Sequence, residues 1–80
     1  MSQKIQRLPA VLSETGVSRS TTYNQISQGL FTKPVSLGPR AVGWPADEVA
    51  AINAARIAGK TEEEIRSLVV KLEAARKSAA

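Results

Sequence analysis

Two glycines, Gly16 and Gly29, limit the most informative helix of this chain to the residues between them. Ser18 follows a tight turn and can cap the helix, because its hydroxyl accepts hydrogen bonds from the free backbone N–H groups of the first turn. Glycine often follows the end of a helix, since it adopts the left-handed conformation without a steric penalty. The sequence therefore predicts a short helix over residues 18–28.

The outer face of this helix carries neutral hydrogen-bonding groups and no acid. Tyr23 and Ile26 are three residues apart and share one face, which is expected to pack inward. Two interpretations fit these residues taken alone: a polar capping helix, or a helix that reads bases in the major groove of DNA. Under the second interpretation, the candidate base-reading residues are Thr21, Asn24, Gln25 and Gln28.

Another short helix precedes this one. Pro9 in its first turn and Gly16 at its end frame residues 7–16, and the apolar residues fall on one side. A helix, a tight turn and a second helix form the helix-turn-helix pattern. In this pattern the second helix enters the major groove and the first braces it.

After Gly29 the apolar residues change to a period of two, which predicts two strands around residues 35–37 and 42–44. The turn residues Gly38-Pro39-Arg40 lie between them and favour a hairpin. Isolated hairpins are marginal in water, so Phe31 and Trp44 are expected to anchor this one against the helices. A hairpin in this position is a wing.

Positive charge is concentrated in the first part of the chain. Residues 1–45 carry five basic side chains and one acidic, whereas residues 46–80 carry six of each. This segregation attracts polyanions and favours phosphate contacts. Arg40 at the hairpin tip is expected to reach a phosphate or the minor groove, against the alternative of a solvated turn arginine. The residues expected at the phosphate backbone or minor groove are Arg19, Ser20, Lys33 and Arg40.

Two further helices are predicted after the hairpin. The first covers residues 46–58, with acidic residues such as Glu48 in its first turn, where the helix dipole favours them. Thr61 and Glu64 form a capping box, which begins a last helix. Residues 76–80 are expected to fray.

The last helix carries a narrow apolar stripe that needs a partner. The stripe is too short to establish a coiled coil, so two uses stay open: homodimerisation, or folding back on the domain. We favour homodimerisation, because a dimer doubles the DNA site. A third possible use is docking of the helix into a groove on a protein partner. The residues of the stripe that would form a dimer are Ile65, Leu68, Val69 and Leu72.

The composition argues against several classes of protein. The 80 residues include no cysteine and no histidine, which excludes disulfides and zinc fingers and removes the commonest general base. The acidic residues 62–64 are explained by a helix start, and no phosphate-binding glycine loop is present. We expect no enzyme activity, no cofactor and no metal. No segment has the length of a signal peptide core or membrane span, so the expected location is cytoplasmic.

Several motifs occur in a characteristic order: Arg7-Leu-Pro, Thr15-Gly-Val-Ser-Arg-Ser-Thr-Thr-Tyr23, Gly29-Leu-Phe, Lys33-Pro-Val, Leu37-Gly-Pro-Arg-Ala-Val-Gly-Trp44 and Asp47-Glu-Val49. Over about residues 7–52 the chain thereby resembles the AlpA-type phage and prophage regulators. The resemblance implies a winged helix-turn-helix related to MerR and excisionase DNA-binding domains, and control of mobile-element genes. Asn24 departs from the basic residue frequent there, and residues 56–80 inherit nothing from the resemblance.

The predicted fold is therefore mainly α with a small β-hairpin: a winged helix-turn-helix with an extended C-terminal helix. It divides into a flexible lead-in over residues 1–6, a DNA-binding domain over 7–58 and a C-terminal helix over 59–80. The predicted function is sequence-specific binding of double-stranded DNA by a regulator of phage or mobile-element transcription. The alternative is an excisionase-like adaptor whose C-terminal helix binds a recombinase or another protein.

Overall fold

A computed structural model of the chain describes residues 4–78. Within this range it has four helices and a small three-stranded antiparallel sheet, which confirms the predicted fold class. No helix among these residues is both long and apolar enough to cross a membrane. The elements in chain order are β1 (Ile5–Gln6), α1 (Leu8–Thr15), α2 (Arg19–Ser27), β2 (Val35–Gly38), β3 (Ala41–Pro45), α3 (Ala46–Ile57) and α4 (Glu62–Ser78).

Local caps set the limits of α1 and α2, as the sequence predicts. Gly16 follows α1 with φ 74°, and Gly29 follows α2 with φ 75°, so both adopt the left-handed conformation. Ser18 caps α2, because its hydroxyl accepts from the backbone N–H of Thr21 at 3.2 Å. The turn between these caps fixes α2 directly after α1 and gives the predicted helix-turn-helix.

The sheet contains one strand that the sequence does not reveal. β3 pairs with β2 in the predicted hairpin and with β1 on its other edge. Ile5–Gln6 is thus an edge strand, and the Lys4 carbonyl accepts from the N–H of Ala46 at 2.8 Å. This pairing corrects the flexible lead-in predicted over residues 1–6, of which residues 1–3 lie outside the described part. Two residues carry no recognisable strand pattern, so only the partner strand defines them.

The core lies between the helices and the inner face of the sheet. Trp44 is fully buried and its indole N–H donates to the carbonyl of Thr32 at 2.9 Å. The ring of Phe31 lies 6.2 Å from the ring of Trp44, which confirms the predicted aromatic anchor of the hairpin. The buried hydrophobic residues are Val11, Leu30, Phe31, Trp44, Val49, Ile52, Ile65 and Val69.

α4 folds back on α3 and completes this core. Ile65 and Val69 are buried, and Leu68 and Leu72 pack against the buried cluster. These four residues are the predicted dimer surface, and in the structure the stripe takes the other use that the sequence left open: it folds back on the domain, with Leu68 and Leu72 only partly covered. The physical reason is the turn at Gly59, which has φ 79° and returns the chain onto α3.

An ion pair fixes the end of α4. Arg76 donates to both carboxylate oxygens of Glu48, at 2.7 and 2.6 Å, and Glu48 is only 5% exposed. Hydrogen bonding to Glu48 raises the pKa of Arg76 above its ordinary value, against the opposing effect of burial. The helix continues to Ser78, which corrects the fraying predicted over residues 76–80; residues 79–80 lie outside the described part.

Candidate nucleic-acid interface

α2 has a buried side and an exposed side. Thr22 is 1% exposed and its hydroxyl donates to the carbonyl of Ser18 at 3.0 Å, while Ile26 packs against the core. Tyr23 is partly exposed and meets the ring of Trp44 edge-on, with 6.4 Å between centroids. These contacts anchor the helix on one side and leave the opposite side to solvent.

Three of the four predicted base-reading residues have exposed side chains: Thr21, Asn24 and Gln28. The hydroxyl of Thr21 accepts from the hydroxyl of Ser18 at 2.9 Å, which leaves its own proton available to another acceptor. Among the described residues, no side-chain hydrogen bond engages the amide of Asn24. Asn24 is therefore the amide on α2 with both its donor and its acceptor available.

Gln25 is placed differently from the other three. Its side chain is half-buried, and its Oε1 accepts from Nη2 of Arg56 at 2.8 Å. Arginine has only donors, so the amide oxygen must face it, and only the NH₂ group of Gln25 remains. Bidentate pairing with adenine requires a donor and an acceptor together. While this bond holds, Gln25 joins α2 to α3 and cannot make that pairing.

The predicted phosphate-contacting residues are all exposed, in three places. Arg19 and Ser20 begin α2, where the unpaired N–H groups and the helix dipole favour an anion. Lys33 lies between α2 and β2, and Arg40 lies in the turn between β2 and β3. The structure thus places Arg19 and Ser20 together, whereas Lys33 precedes β2 and Arg40 follows it.

Side chains of α3 and α4 hold the segment that connects α2 to the hairpin. We call residues 28–34 the link and the β2–β3 hairpin the wing. Arg66 donates from Nε to the carbonyl of Gln28 at 2.9 Å, and Arg56 donates from Nη2 to the carbonyl of Leu30 at 3.0 Å. These bonds satisfy backbone acceptors near the end of α2.

The second part of the link is held at Lys33. Its backbone N–H donates to Oε2 of Glu73 at 2.8 Å, and its carbonyl accepts from Nη2 of Arg76 at 2.7 Å. Neither Glu73 nor Arg76 was predicted from the sequence to have a functional role. Each lies about 40 positions from Lys33 in the chain, so no local pattern connects them.

Arg7 is a further cation that sequence reasoning left out. Its Nε donates to the carbonyl of Val42 in the wing at 3.0 Å, and the side chain is exposed. The bond uses one of the five guanidinium donors. A positive group thus lies against β3.

The structural role of Arg56 is indicated by its position in the sequence of α3. It shares a helix face with the buried residues Val49 and Ile52, and its guanidinium carbon lies 5.8 Å from the centre of the Phe31 ring. Burial lowers the pKa of Arg56 from its ordinary value. A cation in line with core positions indicates a structural donor.

Comparisons with known proteins identify relatives of this chain. A profile of the family described as Prophage CP4-57 regulatory protein (AlpA) matches residues 4–56. The protein named Uncharacterized protein ORF88 of Enterobacteria phage P4 is 45% identical over 58 residues, which are 72% of this chain and 66% of that protein. The chain thus spans just under two thirds of that relative.

A second relative is the DNA-binding transcriptional activator AlpA of Escherichia coli (strain K12). It is 36% identical over 52 residues, which are 58% of this chain and 74% of that protein. No solved structure matches the chain significantly. The profile match covers more than half of the sequence and confirms the resemblance: the chain belongs to the AlpA family of prophage regulatory proteins.

Proposed function

We propose that this protein binds double-stranded DNA in a sequence-specific manner and regulates transcription of phage or mobile-element genes. α2 enters the major groove, and the wing contacts the phosphate backbone or the minor groove through Arg40. The observation that carries the proposal is the exposed, acid-free side of α2, whose opposite side is anchored in the core. The name of the E. coli relative, a DNA-binding transcriptional activator, supports it.

Base reading rests first on Asn24. Its amide is exposed and can pair bidentately with an adenine edge in the major groove. Thr21 in the first turn of α2 and Gln28 directly after the helix are exposed and supply further polar contacts. Gln25 stays in the proposal as a positioning residue that contributes at most its NH₂ donors.

Electrostatic contacts hold the protein on the duplex. Arg19 and Ser20 meet a phosphate at the start of α2, while Lys33 and Arg40 flank β2. Arg7, bonded to the wing through one nitrogen, adds a positive group on β3. Such contacts supply affinity for any sequence and make binding sensitive to salt.

Selection of bound duplexes from a random pool, followed by footprinting, tests the proposal. We expect enrichment of one site, and a pool without enrichment would contradict sequence-specific binding. On the enriched site, Asn24→Ala should cost about 1–3 kcal/mol at one base pair and leave the others read as before. Uniform loss at all positions would instead assign Asn24 to the backbone.

The wing is tested by the salt dependence of binding. Arg40→Ala should weaken binding to every duplex and lower the slope of log K against log salt by about one. Lys71→Ala is the matched control, since Lys71 is an exposed cation of α4 and its removal changes the net charge equally. Equal slopes for the two variants would show that Arg40 contributes only net charge.

The adaptor alternative has less support than DNA binding. It needs the apolar stripe of α4 for a recombinase or another protein partner, and the domain's own core covers that stripe. Capture of a recombinase that persists at high salt and requires α4 would favour the adaptor. Steep loss of duplex binding with salt favours DNA binding.

A further inference from the structure

We propose that α4 positions the wing for DNA, and that Glu73 is the positioning residue that does so through the backbone of Lys33. The inference rests on the proposed DNA binding. α4 lies beyond the segment that matches the family profile, which ends at residue 56. The proposal therefore gives a role to a part of this chain that the family match does not describe.

Lys33 lies two residues before β2. α4 engages both backbone polar groups of this residue: Glu73 accepts from its N–H at 2.8 Å, and Arg76 donates to its carbonyl at 2.7 Å. In the described part of the chain these groups have no backbone partner. The entry of the chain into the wing is thus held at Lys33 by two side chains of one helix, next to the bond from Trp44 to the carbonyl of Thr32.

The link requires such partners if the wing is to be ordered before DNA arrives. Fixing the backbone of a residue costs conformational entropy, and a loop that is ordered only on binding subtracts this cost from affinity. The bond to Glu73 transfers that ordering to the folding of the protein. The wing, with Arg40 at its tip, is then presented in one position.

Because Glu73 is negatively charged, the direction of the change in DNA affinity after its removal tests the proposal. Removing this carboxylate raises the net charge from +4 to +5, and electrostatics alone then strengthens binding to a polyanion. Loss of the positioning bond has the opposite effect. A weaker complex after Glu73→Ala therefore cannot arise from charge.

The experiment compares three variants on the selected duplex, in the full chain and well below the unfolding temperature. Glu73→Ala should weaken binding about three- to tenfold, since it frees one ordered segment. Glu73→Gln should restore affinity to within about twofold, because its amide oxygen can still accept from Lys33. Glu63→Ala, an exposed carboxylate of α4 with the same charge change, should bind at least as tightly as the natural chain.

A double-mutant cycle with Arg40→Ala separates positioning from stability. If Glu73 acts through the wing, Glu73→Ala should have little further effect once Arg40 is removed. The full loss in the Arg40→Ala background, or equal binding by the Glu73→Ala and Glu63→Ala variants, would overturn the inference. If the natural chain binds no duplex, the proposed function fails instead.

Hydrogen exchange of the Lys33 amide supplies a readout that does not need DNA. Glu73→Ala should speed this exchange, and Glu63→Ala should leave it unchanged, because only the first variant removes the acceptor. Unchanged exchange in the Glu73→Ala variant would overturn the positioning role even if no DNA site is found.

Discussion

Arg56 and Gln25 are joined by a hydrogen bond of 2.8 Å that connects the end of α3 to the middle of α2. The same guanidinium nitrogen donates to the carbonyl of Leu30 at 3.0 Å. One half-buried cation thus fixes both the side chain of a helix residue and the backbone that follows the helix. Arg56 thus connects the core to the proposed DNA-reading helix.

Replacing Arg56 with methionine should destabilise the fold. Arg56→Met keeps the aliphatic length but leaves two acceptors without their donor, at a cost of about 1–3 kcal/mol in the free energy of unfolding. Urea denaturation measures this loss. Arg19→Met is the control, since Arg19 is exposed and its removal should change stability by no more than about 0.5 kcal/mol. Equal losses in the two variants would contradict a structural role for Arg56.

Variants of Ser18 should separate helix stability from DNA affinity. Ser18→Ala removes the N-cap of α2 and should cost about 1 kcal/mol of stability, whereas Ser18→Asp keeps a capping oxygen and should preserve it. The added carboxylate lies where we place a phosphate, so Ser18→Asp should nevertheless weaken duplex binding. Thermal unfolding and a binding titration test the two effects. Unchanged binding by the Ser18→Asp variant would place the DNA elsewhere.

Gly43 lies in β3 next to the paired strand β1, and a larger residue should not fit at this position. A Cβ at this position would collide with Cγ2 of Ile5 and would lie 3.1 Å from the Gln6 carbonyl oxygen. Gly43→Ala should therefore cost about 1–3 kcal/mol through overpacking. Chemical denaturation should show that Ile5→Ala in the same chain recovers part of this loss. Additive losses would show that Ile5 is not the obstacle.

The capping box of α4 should make stability depend on pH. The backbone and the hydroxyl of Thr61 lower the pKa of Glu64 in the folded state. A lowered carboxyl pKa stabilises the fold above the ordinary value of about 4.3, and this contribution is lost as the pH falls through the lowered value. NMR titration of the carboxyl groups measures the shift.

The matched comparison for this prediction is Glu64→Gln against Glu63→Gln. Glu64→Gln should be less stable than the natural chain at neutral pH, and the difference should shrink under acid, where the natural Glu64 is protonated. Glu63→Gln removes a carboxylate of the same helix turn that makes no capping bond. Glutamine keeps an acceptor for the N–H of Thr61, so equal losses in the two variants at neutral pH would show that the charge of Glu64 does not strengthen the capping bond.

The parts of the fold that the sequence predicts are those whose contacts are local. Ser18 caps a residue three positions away, and Thr61 and Glu64 bond to each other across the same distance. Gly29 ends its helix by its own conformation. Such signals are complete within one helical turn, so they can be read from neighbouring letters.

The parts that the sequence does not predict depend on distant partners. The apolar stripe of α4 is visible as a pattern, but the pattern cannot say whether Ile65 meets another chain or its own core. Gln25 has the side-chain amide expected of a base-reading residue. Its oxygen, however, accepts a hydrogen bond from Arg56, which lies 31 positions away in the chain. The pairing of Ile5–Gln6 with β3 is equally invisible, because it is specified by the partner strand.

The bonds from α4 to the link also affect the order in which the parts of this protein fold. Arg66 reaches back 38 positions and Arg76 reaches back 43, so both contacts close long loops. Contacts of large sequence separation form late, because the entropy of loop closure is lost before the contact compensates for it. During synthesis, α2 and the wing therefore leave the ribosome before the helix that fixes the segment between them. The surface proposed to read DNA is therefore synthesised before the helix that positions it, and it reaches its final arrangement only after that helix has folded.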